Sequence, residues 1–157
     1  MEDVRAIPGR WAKGDVVLVA GDPRLALDGS EFQARFLGGP AGRPQRPALE
    51  AEAALLRFLA DAAPLLTSAH DASDGGLAVA LAELALWSGA GADVELEADA
   101  LEWFGEGGGR AVVTCRRADV ERLGDTVPLR EIGVVGGERV LGATLAELRA
   151  AYEDGER

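Results

Sequence analysis

"AHDASDGGLAVALAELAL", residues 69–86, sets a histidine, two aspartates, a serine and a Gly-Gly pair directly ahead of an Ala/Leu/Val run. That run is polar only at Glu83 before Trp87, the composition of a helix buried on most sides. Just upstream, "LLTSAH" (65–70) reads as a short strand. A strand ending at His70-Asp71 and a helix opening near Gly75-Gly76 make a strand-turn-helix unit, which places the chain among α/β folds. The turn holds Asp71, Ser73 and Asp74, at the edge of the sheet where such folds bind ligands. Two readings follow. In one, free amides and the helix dipole attract a phosphate, and the glycines let it approach the backbone. Carboxylates in the same turn then make sense with a Mg2+ between them and the phosphate. In the other, Ser73 or Asp74 simply caps the helix. His70 is the only imidazole, but no serine or cysteine has the setting of a nucleophile, so a structural role is the simpler reading.

Working outward, "DVVLVAG" (15–21) is a β-branched run closed by glycine, the form of a buried strand. Residues 1–14 read as a linker leading into one domain over 15–153, with 154–157 a frayed tail. "LDGSEF" (27–32) repeats the Gly-Ser-acid pattern ahead of a short helix: Ser30 is either a cap or part of a second ligand-facing loop. Pro40, Pro44 and Pro47 follow in a functional or mobile loop. In "ALEAEAALLRFLADAAP" (48–64), Leu49, Ala53, Leu56, Leu59 and Ala60 are expected to form the buried stripe of a helix ended by Pro64.

Downstream, "DVELEA" alternates as a strand with Val94 and Leu96 on one face, "ALEWFGEGGG" reads as a turn-rich link, and "RAVVTC" is the next strand. "ADVERLGDTV" forms a short helix capped at Asp119 or Ala118, and "REIGVVGG" with "RVLG" form a strand pair. The last helix starts after Thr144, with Glu147 at the capping-box position. The expected fold is one mixed β-sheet with helices packed mainly on one face.

"GEGGGR" (105–110) lacks the Lys-Ser/Thr ending of a phosphate loop and precedes a strand, so it reads as a flexible loop, with Glu106 and Arg110 the groups worth testing. Trp11, Trp87 and Trp103 are core or interface aromatics. At 157 residues, 48% hydrophobic and 27% charged, the chain suits one folded domain. A net charge of -11 without a basic cluster argues against nucleic acid or an anionic membrane as partner. No apolar run approaches the roughly 20 residues of a membrane helix, and a cytoplasmic protein is expected. Cys115 is alone, which excludes an internal disulfide, and its strand setting is that of an inert small hydrophobe.

"EDVRAIPGRWAKGDVVLVAG", "LDGSEF", "AHDASDGGLAVALAELAL" and "GEGGGRAVVTC", in this order, resemble the C-terminal domain of phosphoribosylformylglycinamidine synthase synthetase subunits, in the ATP-dependent aminoimidazole ribonucleotide synthetase-like superfamily. The resemblance covers nearly the whole chain and is most specific over His-Asp-x-Ser-Asp-Gly-Gly-Leu. It implies an ATP-dependent C–N ligase of de novo purine synthesis, turning formylglycinamide ribonucleotide and glutamine-derived ammonia into the amidine. It further implies Asp71 as a carboxylate facing Mg2+ and ATP, Ser73, Gly75 and Gly76 facing phosphate, and His70 and Asp74 shaping the turn. Implied partners are the preceding domains, a glutaminase subunit and a small accessory subunit. Where the family carries Leu-Gly-Gly-Ser-Glu this chain has Asp28, which weakens a substrate role for that loop. Since the family's other domains build most of the ATP site, the domain alone is expected to be inactive. The alternatives are a non-catalytic binding or assembly module of the same fold and a domain of another superfamily member such as aminoimidazole ribonucleotide synthetase.

Overall fold

A computed structural model describes residues 6–155 except Pro23, Pro40 and Pro44. The polypeptide runs β1 (Val16–Ala20), α1 (Glu31–Phe36), α2 (Leu49–Ala62), β2 (Leu66–Asp71), α3 (Gly76–Ser88), β3 (Ala92–Val94) and α4 (Ala100–Phe104). It continues through β4 (Ala111–Cys115), a 3-10 turn (Arg117–Arg122), β5 (Leu129–Val135), β6 (Arg139–Val140), β7 (Ala143–Thr144) and α5 (Leu145–Gly155).

The β-branched "VVLVA" run becomes the central strand of a five-stranded sheet ordered β2-β4-β1-β5-β3. Its residues are buried throughout because both faces of the sheet are covered. On one face, Val17, Val19, Val112 and Ile132 pack against Leu77, Leu81 and Leu84 of α3, with Trp103 of α4 and Leu148 of α5 at the margin. On the other, Val16, Leu18, Val113 and Cys115 pack against Leu55, Phe58 and Ala62 of α2, with Val120 and Leu123 beside them. The period-2 alternation of β1 feeds both layers.

The α/β class stands, with differences of detail. Every pairing in the sheet is antiparallel, so the sheet is not mixed. Helices α3, α4 and α5 share one face, while α2 covers the other. The buried stripe of α2 is Leu55, Phe58 and Ala62, and the expected Leu49 and Leu56 are 74% and 66% exposed. Apolar residues lie on more than one face of this helix, and the face that the sheet takes in is the one carrying Phe58, its largest apolar side chain. β5 and β6 do not pair. Both edges of β5 are taken, by β1 and β3, so β6 pairs with β7 instead. The "turn-rich link" contains α4, capped by Asp99, whose Oδ1 accepts the Glu102 N–H at 2.9 Å. The 3-10 turn starts at Arg117 without a side-chain cap, earlier than the expected Asp119 or Ala118.

Domain edges shift as well. Trp11, within the expected linker, is core: its indole N–H donates to Ala90 O at 2.9 Å, and Pro8 O accepts the Ala69 N–H beside β2. Residues 1–5 of that linker lie outside the described residues. At the other end, α5 runs through Asp154 and Gly155, while residues 156 and 157 lie outside the described residues. The capping box is present. Glu147 Oε2 accepts the Thr144 N–H and the Thr144 hydroxyl, both at 2.8 Å, bonds that hold the Glu147 carboxyl below its ordinary pKa, and Thr144 Oγ1 accepts the Glu147 N–H at 3.2 Å.

Candidate ligand-facing cleft at one end of the sheet

Antiparallel pairing brings the quoted motifs together. Ala20 at the end of β1 and Asp71 at the end of β2 both stand opposite Ala111, the first residue of β4. The segment after β1, the turn after β2 and the loop before β4 therefore meet at one end of the sheet. Between the last two of these and α2 lies a cleft of about 560 Å³. One side is polar, from His70, Asp71, Ser73, Asp74 and Glu106, and the other is the apolar wall of Leu55, Leu56 and Leu59.

Asp71, Ser73 and Asp74 are exposed, whereas Ala72 between them is buried and its N–H donates to Arg110 O at 3.1 Å. That bond extends the β2–β4 ladder by one residue and turns the polar side chains outward. The Asp71 carboxylate, 77% exposed, has His70 Nδ1 at 3.6 Å. His70 itself leans on α3: its ring stacks on Trp87 at 4.9 Å between centroids, and Nδ1 lies 2.6 Å from Asp71 O. Its Nε2 is 3.2 Å from Glu83 Oε2 but off hydrogen-bond direction, so it has no hydrogen-bond partner. These contacts match the structural reading of this histidine.

The amides of the two glycines are hydrogen-bonded within the domain. The Gly75 N–H donates to Glu106 Oε1 at 2.8 Å, and the Gly76 N–H donates to Ser73 O at 3.0 Å. Gly76 has φ +68, and a Cβ there would stand 2.8 Å from both Gly105 O and Trp103 O. Glycine is required at Gly76 for close backbone packing, a local demand that mimics the sequence pattern of a phosphate turn. The N-cap of α3 is Gly75, whose N–H is taken by Glu106, so Ser73 and Asp74 are not its caps.

Ser30, 1% exposed, has both hydrogen-bonding roles taken. Its hydroxyl donates to Leu27 O at 2.6 Å and accepts the Gln33 N–H at 3.1 Å, the N-cap of α1. The glycine-rich loop is anchored rather than loose. Its Glu106 pairs with Ala26 in an antiparallel bridge, and a Cβ on Gly108 would meet Glu52 Oε1 of α2 at 1.7 Å. Arg110 closes the loop from inside. At 3% exposure, its Nη1 and Nη2 donate to Glu102 O and Gly105 O, both at 3.0 Å, at the C-terminal end of α4. Burial pulls its pKa down from the ordinary value, opposed by the Glu102 charge. Burial pushes the Cys115 thiol up to about 11, which fits an inert side chain.

A Mg2+ is commonly held by one or two carboxylates together with phosphate and water. The exposed Asp71 fits that use as a single donor. Among the described residues, no three His, Cys, Asp or Glu side chains form a metal cluster, so the remaining ligands would come from elsewhere.

An antiparallel α/β domain with its polar cleft at the strand ends is the class these features define. The sequence pattern described as "AIR synthase related protein, C-terminal domain" matches residues 12–145, and the chain belongs to that family. It is 45% identical to the phosphoribosylformylglycinamidine synthase subunit PurL of Thermobifida fusca over 90% of this chain and 21% of that protein. To the same subunit of a Nocardioides species it is 42% identical, over 97% of this chain and 22% of that protein. The chain thus spans about a fifth of these relatives' length. In fold it is similar to Thermotoga maritima PurL complexed with FGAR, with a TM-score of 0.73 and 20% identity over 90% of this chain and 29% of that one. No helix among the described residues is long and apolar enough to cross a membrane.

Proposed function

We propose that this domain forms one wall of the nucleotide site of an ATP-dependent, amidine-forming ligase of purine synthesis, working with the remaining domains of a longer synthetase subunit. The observation that carries this reading is the convergence of the Asp71–Asp74 turn and the 106–109 loop on one cleft with an apolar opposite wall. Apolar walls with a few placed polar groups are the usual form of small-molecule sites. The relatives named above carry the synthase name, and a solved Thermotoga maritima PurL is described as complexed with ATP.

In this reading Asp71 holds Mg2+ and Ser73 offers its hydroxyl to a phosphate oxygen. Gly75 and Gly76 shape the turn by packing. Magnesium, when bound, offsets phosphate charge against a chain whose net charge is -11. His70 orients the turn through its stacking on Trp87. The overall reaction would transfer the γ-phosphoryl group of ATP to the glycinamide carbonyl oxygen, releasing ADP, after which ammonia adds at that carbon and phosphate leaves. Ammonia would come from a glutaminase partner, with a small accessory subunit in the same complex, and the setting is cytoplasmic.

Three expected outcomes test this. The 157-residue chain alone should bind Mg-ATP weakly or not at all by calorimetry, since most of the ligand's contact surface lies outside it. Tight stoichiometric binding would contradict the one-wall reading. When the chain replaces the matching domain of a family synthase, ATP-dependent amidine formation should be retained. There, Asp71→Asn should raise the KM for Mg-ATP about tenfold or more while leaving the melting temperature nearly unchanged, because the carboxylate is exposed. An unchanged KM would sink the metal-facing role.

A further inference from the structure

Glu106 holds three distant stretches of chain at once. Its main chain pairs both ways with Ala26, donating to Ala26 O at 2.9 Å and accepting the Ala26 N–H at 3.0 Å. Its side-chain Oε1 accepts the Glu31 N–H at 2.8 Å and the Gly75 N–H at 2.8 Å. One oxygen thus joins the first residue of α1 to the turn that opens α3. A carboxylate oxygen has two lone-pair sites, and bonds from N–H groups to an ionised acceptor are stronger than neutral ones. Gly75, the N-cap of α3, is itself in the left-handed region, φ +76, a conformation that favours glycine.

We propose that Glu106 is a positioning residue, locking the Gly-Ser-Glu turn ahead of α1 to the Asp-Gly-Gly turn ahead of α3 and thereby setting where Asp71 and Ser73 stand in the cleft. The second half rests on the ligand-facing reading above; the lock itself does not. Because the role needs one acceptor oxygen at a fixed reach, side-chain length matters more than charge. Glutamine keeps a carbonyl oxygen at that reach. Aspartate keeps the charge but is one methylene short of both amides. A carboxylate that held metal or moved a proton would rank these substitutions the other way.

Amide hydrogen exchange on the 157-residue chain tests the lock. In Glu106→Ala and Glu106→Asp, the Gly75 and Glu31 amides should exchange about tenfold faster or more, together, while β1 and β4 amides stay protected. Glu106→Gln should stay within about threefold of the parent at both positions. Unchanged exchange in Glu106→Ala, or glutamine behaving like alanine while aspartate is spared, would overturn the lock. General acceleration in alanine and aspartate, with glutamine still protected, would support it as a lock on which the whole end of the sheet depends. In the assembled synthase, the KM for Mg-ATP should follow the same order, with kcat changing less. A KM lowered by alanine would show a carboxylate that blocks the site and would overturn the positioning role. Coupled exchange as expected, combined with no KM response to either Asp71→Asn or the Glu106 series, would count against the ligand-facing reading and leave the lock standing.

Discussion

Phe58→Ala is expected to lower the domain's unfolding free energy by about 3–5 kcal/mol, the range for deleting a buried aromatic side chain and leaving its cavity. Phe58 is 1% exposed and sits among Val16, Leu18 and Val113 in the layer between α2 and the sheet. α2 has few other anchors, since only Leu55 and Ala62 are buried with it. Chemical denaturation should therefore show a lower midpoint at an unchanged slope. Leu56→Ala is the control. Its side chain is 66% exposed, and the change should fall within about 0.5 kcal/mol of the parent, as surface substitutions usually do. Comparable losses in the two variants would mean that α2 turns a different face inward.

That comparison marks where the sequence was readable. Local signals read well: the β-branched β1, the strand-turn-helix unit, β4 and the Thr144–Glu147 box each depend on a few adjacent residues. The face of α2 does not, because apolar residues lie on more than one side of it and only the shape of the opposing sheet selects Phe58. α4 does carry a local signal: Asp99 followed three residues later by Glu102 has the spacing of a capping box, and Asp99 does cap. The separation of β5 from β6 could not be read locally, since it follows from β1 and β3 occupying both edges of β5.

The site divides in the same way. The polar turn 70–74 was visible as a motif, and the structure opens Asp71, Ser73 and Asp74 to the cleft. The glycines after it carry a signal with two readings, because close backbone packing and phosphate approach both select glycine. Glu106 stood in the sequence as an isolated acid in a glycine run. Its partners at residues 26, 31 and 75 are brought to it only by the strand order, so no local pattern could name them.

The second large effect is expected at Arg110, which supports that loop from beneath. Its guanidinium fork spans two carbonyls at the end of α4, Glu102 O and Gly105 O, in a setting 3% exposed. Arg110→Met keeps much of the side chain's length and apolar stem but leaves both carbonyls without their donor. An orphaned buried acceptor costs roughly 1–3 kcal/mol, in full at the buried Gly105 O and less at the part-buried Glu102 O. Relief from burying a charge returns part of this, consistent with the depressed pKa of the arginine. The net loss should be about 2–4 kcal/mol by denaturation. Arg110→Lys should fall between, because a compact ammonium serves one of the two carbonyls well and cannot reproduce the fork. Since Gly105 immediately precedes Glu106, loosening its carbonyl should also release the lock: amide exchange at Gly75 and Glu31, the N–H of each being bonded to Glu106, should quicken in Arg110→Met. A methionine variant as stable as the parent would show that the guanidinium does not hold the loop. A destabilised variant with Gly75 and Glu31 still protected would separate the arginine strut from the glutamate lock.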